Sequence, residues 1–105
     1  MLIHLPIVIL ASLHPIAVGN AVPQFDIARE CREEGDTKEM QQRCTDDEVQ
    51  ARKQLEAEWM QFSPRAIIQC NGETNIDGTP SYVELQTCLE MERDVRIERE
   101  AKAPQ

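Results

Sequence analysis

Four cysteines in a chain of 105 residues, Cys31, Cys44, Cys70 and Cys88, constrain this sequence more than any other feature. A chain of this size buries little apolar surface, and chains that small usually need covalent or metal staples to hold a fold. An even cysteine count reads as two disulfides if the protein matures in an oxidising compartment. The spacing argues against the sharper uses of thiols. Twelve residues lie between Cys31 and Cys44 and seventeen between Cys70 and Cys88. A thiol oxidoreductase usually carries two cysteines separated by two residues, where the second lowers the pKa of the first. Structural zinc wants pairs two to four residues apart. Neither pattern occurs, so the cysteines read as structural cross-links, with a thiol-redox or metal-binding role as the alternative.

The N-terminus supplies the compartment. Met1 to Ala21 contains no Lys, Arg, Asp or Glu. Leu2, Ile3, Leu5, Ile7 to Ala11 and Leu13 form an apolar run, Pro15 breaks it, and Gly19-Asn20-Ala21 follows. An apolar segment, a helix breaker and small residues at the −3 and −1 positions are the layout a signal peptidase reads. Cleavage is expected after Ala21, with Gly19 as the alternative. The n-region has no basic side chain, which leaves open an uncleaved membrane anchor or a different start. The two prolines and the early small-residue site argue for cleavage, since a spanning helix wants about 20 apolar residues. The expected organisation is a signal peptide over 1–21, a disulfide-stapled domain over 22–92 and a charged helical tail over 93–105, in a periplasmic or secreted protein.

Cleavage after Ala21 leaves 105 − 21 = 84 residues, which hold every charged residue and the full formal charge of −8. Both histidines, His4 and His14, leave with the signal. Imidazole is thereby removed as base, acid or metal ligand. Ser63 and Ser81, the remaining serines, have no histidine to activate them. No glycine-rich phosphate loop is present, and a small stapled helical domain lacks the deep cleft that a paired-carboxylate hydrolase uses. The sequence reads as a non-enzyme without a cofactor. The acidic balance excludes nucleic acid and anionic membrane surfaces, whose recognition needs Lys and Arg. A charge-steered partner is expected to be a basic protein. The oligomeric state is open.

The pattern along the chain is helical throughout. Phe25, Ala28 and Cys31, three apart, mark one face of a short helix that Gly35-Asp36 ends. The stretch Thr37 to Arg43 reads as loop or a frayed turn. Thr45 with Glu48 three residues later reads as a capping box, with Asp46 and Asp47 complementing the helix dipole. Ala51, Leu55, Trp59 and Phe62 then make an amphipathic stripe. Ser63-Pro64 is a second N-terminal signature, and Asn71-Gly72 after Cys70 a stop. Thr79-Pro80 opens a further helix with Tyr82, Leu85, Cys88 and Leu89 as its buried stripe. Trp59 and Tyr82 read as core rather than interface anchors. Glu92 with Arg96 and Glu98 with Lys102 are (i, i+4) pairs on the charged tail. The fold class is therefore all-α: a small disulfide-stapled bundle of three to four short helices.

Counting allows three disulfide pairings. Helices joined by short connectors pack side by side, so Cys31, late in the first helix, is expected to meet Cys44 across the first turn. Cys70 is expected to meet Cys88 across the later one. The nested arrangement, Cys31 with Cys88 and Cys44 with Cys70, is the alternative.

Cys44, Asp47-Glu48, Ala51-Arg52, Leu55 and Trp59, followed by Pro80-Ser81-Tyr82-Val83-Glu84-Leu85 and Thr87-Cys88-Leu89-Glu90-Met91, resemble a family of small exported proteins from alphaproteobacteria, chiefly rhizobia-like ones. The likeness covers most of the chain after the leader, and Pro-Ser-Tyr-Val-Glu-Leu is its most specific part. Gln86 stands where the pattern has an apolar residue, which implies partial exposure there. The resemblance implies export and a four-cysteine helical plan; it carries no activity.

Overall fold

The computed structural model describes residues 21–103. The expected leader lies outside the described residues apart from Ala21. Within them the chain is all-helical: α1 (Ile27–Glu34), α2 (Lys38–Glu58), a 3-10 turn over Trp59–Gln61, α3 (Pro64–Thr74) and α4 (Tyr82–Lys102). α1 packs on α2, α2 on α4 and α3 on α4. The molecule is thus two helical hairpins, α1–α2 and α3–α4, joined through the contact of their second arms.

Each hairpin carries its own staple. Cys31 is bonded to Cys44 and Cys70 to Cys88, with Cα separations of 5.5 and 5.7 Å. Both separations suit an unforced disulfide. The side-by-side pairing expected from the short connectors is the one observed. The first connector is tight: a Cβ on Gly35 would lie 2.7 Å from Cβ of Met40, so only glycine lets α2 start this close to the end of α1.

The core follows the expected stripe. Ala51, Leu55, Trp59, Phe62, Ala66, Ile67, Cys70, Tyr82, Leu85 and Leu89 form one buried cluster, against which Val22, Phe25, Ile27 and Cys88 pack. Trp59 and Phe62 meet edge-on at 6.2 Å. The indole Nε1 of Trp59 is buried without a hydrogen-bond partner among the described residues. Gln86 is half-buried, its amide donating to Glu90.

Several local expectations do not hold. Ala28 is exposed, and α1 instead turns Ile27, Glu30 and Cys31 inward. Phe25 lies outside α1, so the three-residue spacing from it does not mark a helix face: Asp26 is the N-cap and accepts from the Arg29 N–H. Thr37 to Arg43 is no loop, because Thr37 accepts from the Met40 N–H and starts α2 there. Thr45 therefore lies inside α2, its hydroxyl donating back to Gln41 O. Asn71-Gly72 does not stop α3, which continues to Thr74, and the positive φ falls at Gly78 in the next connector. The N-cap of α4 is Ser81 rather than Thr79; Thr79 N donates to Asp77 in a local turn.

α4 runs unbroken through residue 93 and beyond. Arg93 donates to Glu58 Oε1 (3.3 Å) and Gln61 Oε1 (2.9 Å), and Arg96 to Gln61 O (3.1 Å), so these two arginines clamp the 3-10 turn. Among the described residues no ion pair joins Arg96 to Glu92. The Glu98–Lys102 pair forms at 3.2 Å.

Candidate functional site

The polar residues buried in this protein converge where α1, α2 and the start of α4 meet. Glu30, Glu48, Thr74 and Ser81 are all buried, and burying a polar group is tolerated only where its hydrogen bonds are met. Three of the four are met completely. Glu48 on α2 accepts from Tyr82 N through Oε1 (2.6 Å), and from Ser81 Oγ (2.6 Å) and Val83 N (3.3 Å) through Oε2. Ser81 Oγ in turn accepts from Glu84 N at 3.2 Å. The first three N–H groups of α4, which no helix can satisfy internally, thus receive acceptors from Glu48 and Ser81. A carboxylate at this end also meets the positive pole of the helix dipole.

Thr74 completes the arrangement. Its hydroxyl accepts from Ser81 N (3.0 Å) and donates to Glu84 Oε1 (2.9 Å). Ser81 and Glu84 have the spacing of a capping box, but the return bond from Glu84 to the Ser81 N–H is relayed through the Thr74 hydroxyl. The Ser-x-x-Glu signal at 81–84 could have been found in the sequence. Thr79-Pro80 two residues earlier obscured it, and the part played by Glu48 has no sequence signal, because its partners lie 33 to 35 positions away.

Glu30 differs from the other three. It is 8% exposed, and among the described residues its carboxylate has no hydrogen-bond or ion-pair partner. Its side chain instead lines a cavity of about 350 Å³. The acidic groups around that cavity are Glu34 from α1, Asp47 and Glu48 from α2, and Glu84 from α4. Among the described residues Arg43 is the one cation on the wall, and Met40 and Val83 supply apolar surface. Burial first, then repulsion from Glu34, Glu48, Glu84 and Asp77, pushes the Glu30 carboxyl from 4.5 up to about 7.

This cavity is the candidate site. Asp46, Asp47 and Glu48, grouped in the sequence as cap residues, separate in space: Asp47 lines the cavity and Glu48 caps α4. Among the described residues no three His, Cys, Asp or Glu side chains converge as metal ligands, and no cysteine is free. A second groove, between the start of α3 and the end of α4, is lined by Arg65, Arg93, Arg96 and Arg99. Arg93 is neutralised there by Glu58 and Asp94, and Arg96 holds the 3-10 turn.

The chain matches no protein-family model, no curated protein and no solved structure.

Proposed function

We propose that this is a non-catalytic interaction protein of the periplasm or extracellular space that binds a basic protein partner through its acidic cavity. The observation that carries this reading is Glu30: a buried residue whose carboxylate has no partner among the described residues, on a wall rich in acids. An arrangement that concentrates like charge costs stability, and a cationic group from outside would relieve it. Further support comes from Ser81 and Glu48. Their oxygen atoms are occupied in capping α4, which leaves neither as a nucleophile or general base.

Two disulfides suit an oxidising compartment, and no helix among the described residues is long and apolar enough to cross a membrane. The resemblance to small exported alphaproteobacterial proteins agrees with that compartment. The oxidised protein, immobilised and challenged with an arginine-rich peptide and a glutamate-rich control, tests the binding. Retention of the basic peptide at low salt and its release at high salt are expected. Equal retention of both peptides, or of neither, overturns the reading. Mass spectrometry of the native N-terminus tests export: a start at Val22 is expected, and an intact Met1 in a membrane fraction overturns it.

A further inference from the structure

We infer that the cavity between α1, α2 and α4 is a receptor for a single arginine side chain, with the Glu30 carboxylate as its central contact. This rests on the basic-partner reading above and specifies which atoms do the recognising.

The cavity has two kinds of wall. Glu30, Glu34, Asp47 and Glu84 offer carboxylate oxygens, while Met40 and Val83 offer apolar surface in the same cavity. A guanidinium matches both. Its five N–H donors lie in one plane and pair with carboxylates two at a time, and its faces are weakly hydrated enough to lie on apolar atoms. An ammonium is compact and strongly hydrated, and gains less from an apolar wall. A divalent metal fits poorly, since no three acidic side chains converge as ligands among the described residues. The cavity volume of about 350 Å³ leaves room for a long side chain with its stem along the wall.

Glu30 is the central contact for a reason independent of the others. Glu48 is saturated by Ser81, Tyr82 and Val83, and one oxygen of Glu84 is taken by Thr74. Among the described residues, Glu30 is the one carboxylate of this wall that is buried and has no hydrogen-bond or ion-pair partner. The charged groups facing it are Glu34 on its own helix, Arg43, Asp47 and Glu48 on α2, Asp77 in the connector and Glu84 on α4. With a carboxyl that titrates near 7, a substantial fraction of Glu30 is protonated in the free protein at neutral pH. A guanidinium favours the ionised form, so its O–H proton passes to solvent as the ion pair forms. Arg43, a cation on the rim, opposes entry.

The test uses the intact oxidised protein, carboxyl-labelled for NMR, with N-acetyl-arginine methylamide as the probe. Saturable shifts at the Glu30 carboxyl are expected, and the affinity should rise about tenfold between pH 6 and pH 8 as the ionised fraction grows. E30Q should lose that pH dependence and bind at least about tenfold more weakly at pH 8. R43Q, on an exposed side chain, should bind a few-fold more tightly. The lysine analogue should bind at least about fivefold more weakly. Binding that is equal in E30Q, equal for lysine, or reproduced by calcium chloride at the same concentration overturns the inference. If an arginine-rich peptide is retained by the protein while the single-residue probe leaves Glu30 unmoved, the cavity assignment falls and the basic-partner reading stands. If no basic peptide is retained, the broader reading falls on its own measurement.

Discussion

The backbone nitrogen of Tyr82 donates to Oε1 of Glu48 across 2.6 Å, joining positions 34 apart in the sequence. This one carboxylate holds the start of α4 against the middle of α2, and with Ser81 it is the polar counterpart of the Leu55–Leu85–Leu89 packing below it. E48A leaves the Tyr82 and Val83 N–H groups and the Ser81 hydroxyl short of an acceptor in a buried setting. The expected loss is about 2–4 kcal/mol, read by denaturant unfolding of the oxidised protein. E48Q keeps one acceptor but turns an NH₂ toward a donor, and should fall between wild type and E48A. A change of less than about 0.5 kcal/mol in E48A would show that water replaces the carboxylate without cost.

Tyr82 ties down the segment that precedes α1. Its hydroxyl donates to Pro23 O at 2.7 Å and accepts from Phe25 N at 2.8 Å, and its ring lies 4.6 Å from that of Phe25. Y82F keeps the ring packing and removes both bonds. A loss of about 1–2 kcal/mol is expected, together with faster amide exchange at Phe25. Unchanged exchange there would mean that apolar contact alone fixes residues 22–25.

The two disulfides should act on different parts of the molecule. Their sequence separations of 13 and 18 residues each correspond to about 3 kcal/mol of loop-closure entropy. α1 is eight residues long and packs on α2, too short to persist as an isolated helix. The C31A/C44A pair should therefore release α1 and leave α2–α4 folded. C70A/C88A cuts the staple whose Cys70 is wholly buried in the main core, and should lower the cooperative transition of the whole domain. Circular dichroism and proton exchange on the two variants separate these outcomes; identical exchange patterns would refute the hairpin-by-hairpin account.

How much of this was legible in the sequence follows from which interactions are local. The stripe Ala51, Leu55, Trp59 and Phe62 is a periodic signal, and periodicity is set by helix geometry alone, so core and helix type could be read directly. The pairing of Cys31 with Cys44 followed from short connectors. Helix starts were less secure, because Thr37, Thr45, Thr79 and Ser81 are all chemically able to cap. Which of them does so depends on where the neighbouring helix puts its acceptors. The site was least legible. Glu48 reads as a cap for its own helix and is a cap for another, and no sequence pattern sets Glu30 apart from the other acids. Only tertiary packing distinguishes a carboxylate saturated by three donors from one with none.

The last prediction concerns Glu30 and pH. Its carboxyl titrates at about 7 in the folded protein, against 4.5 for an unperturbed glutamate. The folded state therefore holds the proton more tightly than the unfolded state. The resulting stabilisation is complete below pH 4.5 and is lost as pH rises through 7. The full shift would correspond to about 3 kcal/mol, but Glu30 lines a cavity open to solvent, and screening there reduces the expected effect to about 1–2 kcal/mol. E30Q carries a permanently neutral side chain of the same shape and cannot lose this contribution. Unfolding free energies of wild type and E30Q should coincide near pH 4, diverge between pH 4.5 and 7 with E30Q the more stable, and hold a constant gap above pH 8. Curves that stay parallel from pH 4 to pH 8 would mean that the Glu30 carboxyl is solvated as freely in the folded chain as in the unfolded one, and the charge tension attributed to the cavity would not exist.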